Sequence, residues 1–289
     1  MQSLNPDASG ESIYYSQTEY EASPLNRALK TYAPGNTWAK EGGNKPVELQ
    51  YLINTIADSV HIWDMPANGS IIPTSAANHI YAAGQLYKNV TKDERGKSAI
   101  EFKDKNGQIV LKKVQLADVT PNGHVGWLST YYVYDDLGNL RCVIPPKAVE
   151  LIRPGWVIDA TTARELCFFY RYDGRNRLII KKVPGADSTE MVYDVRDRLV
   201  FTRDGNMRNV GTGKKWLVTF YNALNRPTMT ALYASGSSRD SLQTAMNAAI
   251  SNTQTITHAV PEQADLVFGH HDGRPKYTAR NSITFEGGF

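Results

Sequence analysis

Tyr172-Asp173-Gly174-Arg175-Asn176-Arg177-Leu178 is followed by Tyr193-Asp194-Val195-Arg196-Asp197-Arg198-Leu199 and by Tyr221-Asn222-Ala223-Leu224-Asn225-Arg226-Pro227. With Tyr134-Asp135-Asp136-Leu137-Gly138-Asn139-Leu140 before them, four phrases fit one template. The template is Tyr, Asp or Asn, two free positions, a turn residue, Arg or Asn, then an apolar residue or Pro. Each phrase reads as a β-hairpin. The aromatic ends one strand, the Asp or Asn side chain folds back onto the turn backbone, and the later Gly or Asn tolerates a left-handed conformation. Apolar runs such as Leu178-Ile179-Ile180 and Leu199-Val200-Phe201 begin the return strand. The repeat thus assigns structural roles to Tyr134, Asp135, Gly138, Tyr172, Asp173, Gly174, Arg177, Tyr193, Asp194, Arg198, Tyr221, Asn222 and Arg226. A repeated hairpin points to an array, and arrays are usually scaffolds rather than catalysts.

Fainter copies extend the pattern. Tyr20-Glu21-Ala22-Ser23-Pro24-Leu25-Asn26-Arg27 is the Tyr221 phrase with an insertion, and Phe102-Lys103-Asp104-Lys105-Asn106-Gly107-Gln108-Ile109-Val110 keeps the order of aromatic, turn and β-run. His271-Asp272-Gly273-Arg274-Pro275 is a degenerate version. The tyrosines at 134, 172, 193 and 221 are spaced by 38, 21 and 28 residues. Such irregular spacing leaves room for loops and short helices between hairpins and excludes a solenoid of identical rungs.

The phrases resemble the YD repeats of the rearrangement-hotspot (Rhs) and teneurin-like proteins. Tyr15-Ser16-Gln17-Thr18 through Ser23-Pro24-Leu25-Asn26-Arg27, the stretch Tyr134 to Pro146, and Lys181-Lys182-Val183-Pro184-Gly185 are similar to the N-terminal region of Rhs-type proteins from Bacteroidetes. The resemblance covers about residues 12 to 275. It implies a spiral of hairpins forming part of a hollow β-shell, a C-terminal effector elsewhere in a longer parent polypeptide as partner, and a secreted or cell-surface setting. The aspartyl self-cleavage region of some shell proteins has no counterpart here.

Composition agrees with a sheet. Hydrophobic residues make up 41% of the 289 and aromatics 10%, with Tyr the commonest aromatic at 16. Tyr suits a sheet with one packed and one wet face. Net charge is +3 from 32 basic and 29 acidic residues, without a like-charge block, so nucleic acid is not an expected partner. No apolar run approaches the ~18 residues of a membrane helix, and Met1-Gln2-Ser3-Leu4-Asn5-Pro6 lacks the features of a secretion signal. That lack suggests excision from the longer parent. Cys142 and Cys167, the two cysteines, read as buried thiols.

Four regions are expected: a flexible terminus over 1–11, an N-terminal β domain over 12–116, a hairpin array over 117–276, and the start of a following β module over 277–289. In the second, Val47 to Leu52 and Ser59 to Trp63 read as strands, with a turn at Pro66-Ala67-Asn68-Gly69. Pro145 to Ile152 suits one or two helical turns. A second helix is expected near 240–251, with Leu242, Met246 and Ile250 on one face, plugging a gap in the sheet.

No catalytic, cofactor or metal site emerges. His270-His271-Asp272 offers two imidazoles and a carboxylate, but adjacent strand residues point to opposite faces, so the cluster reads as a degenerate turn. His61, His79, His124 and His258 have no ligand spacing. Gly211-Thr212-Gly213-Lys214-Lys215 lacks phosphate-loop spacing and follows an expected loop at Asp204-Gly205-Asn206. The repeat arginines suit stacking on aromatics or pairing with repeat aspartates better than an acidic ligand. The expected fold is therefore all-β, an irregular array of antiparallel hairpins in an open shell segment with one or two short helices. The expected role is non-enzymatic: part of a shell that encloses or presents an effector. The alternative is a carbohydrate-binding surface module, in which Trp127, Trp156 and Trp216 stack on sugar rings of a glycan. Exposed sheet ends, above all Ile283-Thr284-Phe285, suggest edge-to-edge self-association.

Overall fold

The computed structural model describes residues 10–66, 70–116, 123–209 and 213–248, with the backbone of two short strands at Gly269–His271 and Arg274–Lys276. The chain divides into two compact units, Met1–Cys167 and Phe168–Phe289.

In the first unit eight strands pair antiparallel in chain order: β1 (Gln17–Tyr20), β2 (Ala28–Tyr32), β3 (Val47–Ile53), β4 (Tyr87–Lys92), β5 (Ser98–Lys103), β6 (Ile109–Gln115), β7 (Trp127–Tyr134) and β8 (Leu140–Ile144). Register builds its core. Phe102, Leu111, Tyr131 and Ile144 stand opposite one another across β5 to β8, and all four are fully buried. The next row holds Val90, Ile100, Lys113 and Ser129, so a lysine occupies a core position. Residues 54–66 and 70–86 cover this face. Here the expected strand Ser59 to Trp63 does not form. A 3₁₀ turn at Ile56–Asp58 and single bridges from His61 to Ile80 and Asp64 to Thr74 replace it, and Val60 and His61, though adjacent, are both buried. Alternation fails because the segment is sandwiched rather than half exposed. The turn expected at 66–69 lies largely outside the described residues.

Helix α1 (Pro146–Ile152) occupies the stretch that its prolines mark. α2 (Ala160–Leu166) adds to the expected helices. The Asp159 carboxylate caps it, accepting from the Thr161 and Thr162 amides at 2.8 and 2.9 Å. Cys142 and Cys167 are fully buried thiols.

The second unit pairs six strands in order: β9 (Phe168–Tyr172), β10 (Leu178–Lys182), β11 (Thr189–Tyr193), β12 (Leu199–Arg203), β13 (Lys215–Tyr221) and β14 (Pro227–Ala234). A short helix α3 (Gly205–Asn209) stands at the expected loop and is capped by Asp204, whose carboxylate accepts the Met207 amide at 2.8 Å. Helix α4 (Arg239–Ala248) begins at Ser238, whose hydroxyl accepts the Ser241 amide at 3.1 Å. Leu242 and Met246 pack against Val192, Phe201, Trp216 and Val218, while Ile250 lies outside the described residues. α4 also completes the sheet. β11 pairs with β10 over two residues only, and beyond them Gln243 spans the Tyr193 backbone, accepting its N–H at 3.0 Å and donating to its carbonyl at 2.7 Å. Each unit is an open antiparallel sheet with few short helices, eight strands in the first and six in the second, as the repeat implies.

α4 is placed by its buried face. Met246→Ala is expected to lower unfolding free energy by about 2–4 kcal/mol and Thr244→Ala, on the exposed face, by less than about 0.5 kcal/mol, read by urea denaturation.

Candidate functional site

The repeat turns share one geometry. In each, the Asp or Asn side-chain oxygen accepts two backbone amides, from the residues two and four positions ahead. Asp135 accepts from Leu137 and Asn139 at 3.1 and 2.9 Å, and Asp173 from Arg175 and Arg177 at 2.9 and 3.0 Å. Asp194 accepts from Arg196 and Arg198 at 2.9 and 3.0 Å, and Asn222 from Leu224 and Arg226 at 3.0 Å each. The fifth residue of the phrase takes the left-handed conformation: Gly138 (φ 80°), Asn176 (58°), Asp197 (59°) and Asn225 (60°). It produces the bulge at which strand register shifts. Gly174 lies outside the left-handed region and has open space around it, so this turn leans on Asn176 instead.

Two further turns repeat the bonding without the tyrosine. Asp104 accepts the amides of Asn106 and Gln108 at 2.9 Å, and Asp93 those of Arg95 and Lys97 at 2.9 and 2.7 Å. The second was missed in the sequence because Lys92 stands where the aromatic would be. Its signal was the Asp-x-x-Gly spacing alone, with Gly96 at φ 78°.

Successive turns are bolted together. Arg177 donates from Nε to its own Asp173 at 2.8 Å, and from Nη1 forward to the carbonyl of Asp194 at 3.1 Å and the carboxylate of Asp197 at 2.8 Å. Its guanidinium lies 4.9 Å from the centre of the Tyr193 ring, and the Tyr193 hydroxyl donates back to the Leu178 carbonyl at 2.7 Å. One copy later the arrangement recurs. Arg198 bonds Asp194 at 2.6 Å and Asn225 at 3.1 Å, lies 5.0 Å from the Tyr221 ring centre, and Tyr221 donates to Leu199 O at 2.9 Å. In the first unit Gln108 stands in for Arg and donates to Gly138 O at 3.0 Å, while Tyr134 donates to Ile109 O at 3.2 Å. Burial alone would raise the Asp173 carboxyl, but Arg177 and two backbone amides more than offset it and hold it below the usual carboxylate range. Tyr172 is half-buried, and Arg226 is exposed. Arg175 and Arg196 are also exposed, so the arginines divide into bolts and surface residues rather than lining one face.

A second constellation lies beneath the covering segment of the first unit. Trp156, at φ 56° in a region unusual for a bulky residue, stacks on the His61 ring with centroids 3.5 Å apart. His124 contacts Ser129 Oγ through Nδ1 at 3.2 Å, and Ser59 O and the Tyr131 hydroxyl through Nε2 at 3.0 and 3.2 Å. The His61 amide donates to the same hydroxyl at 3.1 Å. Lys113 Nζ donates to the carbonyls of Asp58 and Gly123 at 3.0 Å each, and Lys88 pairs with the Asp58 carboxylate at 2.6 Å. Burial and the Lys113 charge hold His124 down at about 3, burial holds His61 at about 4, and burial lowers Lys113 to about 8. Sequence spacing gave no hint of this cluster, because its members come from distant segments.

Neither constellation has the form of an active centre. The Ser129–His124 contact is buried beneath the covering segment, and among the described residues no group of three or more His, Cys, Asp or Glu side chains is arranged to hold a metal. Trp216 and Trp156 are buried and Trp127 is half-buried, so two of the three tryptophans considered for sugar stacking are core residues. His270 and His271 lie on a short strand paired with Arg274–Lys276, and Asp272 falls outside the described residues. No described helix is long and apolar enough to cross a membrane.

Residues 2–53 match a family model described as a domain of unknown function, DUF6443. No protein of curated function matches the chain. Among solved structures, the crystal structure of TcdB2-TccC3-TEV is similar over 78% of this chain and 11% of its own, at 14% identity and a TM-score of 0.40. That of TcdB2-TccC3-Cdc42 is similar over 76% and 10%, at 15% identity and 0.41. The Photorhabdus luminescens Tc holotoxin pore is similar over 77% and 10%, at 15% identity and 0.40. This chain thus spans about a tenth of the length of each.

Asp194 is the most buried of the turn carboxylates. Asp194→Ala is expected to cost about 3 kcal/mol, since it strands the Arg198 charge and two amides. Asp194→Asn, which reproduces what Asn222 does natively, is expected to cost about 1–2 kcal/mol. Chemical denaturation of the two variants side by side checks the order.

Proposed function

We infer that the chain is a non-enzymatic wall segment whose hairpins interlock to build part of a larger shell, within a longer polypeptide that encloses or presents a C-terminal effector. The observation that carries this reading is the Tyr–Asx–Arg bolt. It joins the hairpin of Tyr172 to that of Tyr193 and the hairpin of Tyr193 to that of Tyr221 through side chains that a catalyst would have to leave available, and it consumes Asp173, Asp194, Arg177 and Arg198, groups that the sequence offers for chemistry. Arg226 and Pro227 occupy the positions that in earlier copies receive the next tyrosine, and among the described residues β14 pairs only with β13. A further hairpin of the same kind from the parent polypeptide fits there. The secreted or surface setting and the division into an N-terminal β domain and a hairpin array rest on the resemblance of the sequence to YD-repeat proteins. Carbohydrate recognition receives no support from the tryptophans.

The test uses the complete reading frame to which these residues belong. It is expected to encode further Tyr-Asx phrases and a C-terminal part that resists protease in the intact protein. Replacing Arg177 and Arg198 together by Ala is expected to speed digestion of that part at least about tenfold. A reading frame without further hairpins, or a C-terminal part cut equally fast with the bolts intact, would overturn the reading.

A further inference from the structure

The covering segment of the first unit, residues 54–66 and 70–86, is tethered to the sheet through ionisable side chains. Its His61 amide donates to Tyr131 Oη, its Ser59 carbonyl meets His124 Nε2, its Asp58 carbonyl accepts Lys113, and its Asp58 carboxylate accepts Lys88. His61 and His124 are 4% and 8% exposed, with ring centroids 6.3 Å apart. Around them lie neutral groups: the Trp156 and Trp63 rings, Ser129 from β7, and Tyr131 with its hydroxyl held neutral by burial. The ionisable neighbours are mostly basic. Lys113 reaches in from β6 and Lys88 from β4, Arg153 lies just beyond α1, and His79 sits on the covering segment itself, where its Nδ1 is 3.4 Å from the Asp64 carboxylate at the exposed edge. Tyr81, also on the segment, is half-buried, and burial raises its hydroxyl above the usual range, so it stays neutral. Asp58 is the carboxylate nearest to hand, and Lys88 already holds it. His61 Nδ1 and Trp63 Nε1 are buried with no hydrogen-bond partner among the described residues.

We propose that this cluster is an acid-sensitive latch, which clamps the covering segment on the sheet while both imidazoles are neutral and releases it when they take up protons. At neutral pH the cluster carries Lys88 and Lys113 against Asp58. Two imidazolium charges would join them where no carboxylate is paired with either ring among the described residues, and a buried charge without a partner is expelled or hydrated by opening the structure. The direction follows from linkage. Each imidazole is harder to protonate folded than unfolded, so its neutral form contributes full stability above about pH 6.5, and that contribution is lost as pH falls toward the folded values near 4 and 3. Release would uncover the row Phe102, Leu111 and Tyr131. The second unit contains no described buried histidine, so the response is local to the first.

Hydrogen exchange by mass spectrometry from pH 7.5 to 4.5, corrected for intrinsic rates, tests the latch in the intact chain. Amides of the covering segment, among them Ile62, Tyr81 and Leu86, are expected to open on the order of tenfold more per imidazole for each pH unit below 6.5. Amides of β11 to β13 serve as the internal reference and stay unchanged. In His61→Gln combined with His124→Gln the segment is expected to lose its pH dependence. Should that variant not fold, imidazole titration by NMR in the unaltered chain decides, with both rings expected to stay neutral to below pH 5. Rings that titrate near 6.5, a segment whose exchange ignores pH, or a double variant that keeps the response would each overturn the proposal.

Discussion

Arg177 holds two hairpins at once. Its Nε is spent on the aspartate of its own turn, its Nη1 on the next turn, and its flat face on the next tyrosine, which in turn donates back to the strand that Arg177 leads into. A two-stranded hairpin is marginal alone in water, so an array of them depends on what crosses from one to the next. The backbone ladder supplies part of that, and it is indifferent to sequence. Where it is present, from Arg177 to Tyr193 and from Arg198 to Tyr221, the bolt adds a contact at a fixed point of the turn and so fixes register as well as pairing. It also explains why irregular spacing is tolerated. α3 lengthens the path from one copy to the next, but it follows β12 at the end of the strand away from the turn, and Arg198 still meets Asn225 and Tyr221.

The same economy governs the cores. In the second unit Arg203 is 5% exposed yet lies 4.0 Å from the Trp216 ring centre and bonds Glu190, so its charge is answered on both counts. In the first unit Lys113 occupies a core row and is answered by two carbonyls and, at 5.6 Å, the Phe102 ring, while Asp58 pairs directly with Lys88. The first arrangement is a directly bonded ion pair. The second leaves a basic cluster on the edge of balance, and that contrast separates a purely structural ion pair from a group able to respond to acid.

Much of the fold was legible because a hairpin turn is a local object. The side chain of Asp173 or Asp194 needs only residues within four positions, so the phrase in the sequence and the turn in space are nearly the same thing. Helix α4 was equally readable from the spacing of Leu242 and Met246. What escaped was non-local. Asp93 lacks its aromatic, α2 is a run of seven residues signalled by its cap at Asp159 alone, and Ser59 to Trp63 reads as alternating although both of its faces are covered. His61 and His124 come together only because one lies on the covering segment and the other on the approach to β7, and no spacing rule links them. The partners of the repeat arginines were half visible. Pairing with the turn aspartate follows from proximity along the chain, but the stack on the following tyrosine requires knowing which strands are neighbours.

Arg198 and the tyrosine of the next copy, Tyr221, are coupled energetically and not merely adjacent. A double-mutant cycle of Arg198→Ala and Tyr221→Ala, followed by urea denaturation, measures that coupling directly. A coupling energy of about 1 kcal/mol or more is expected, in line with a partly buried cation–π contact reinforced by hydrogen bonds. Losses that add to within about 0.3–0.5 kcal/mol would contradict it, and would mean that the hairpins are held together by the backbone ladder and the core alone.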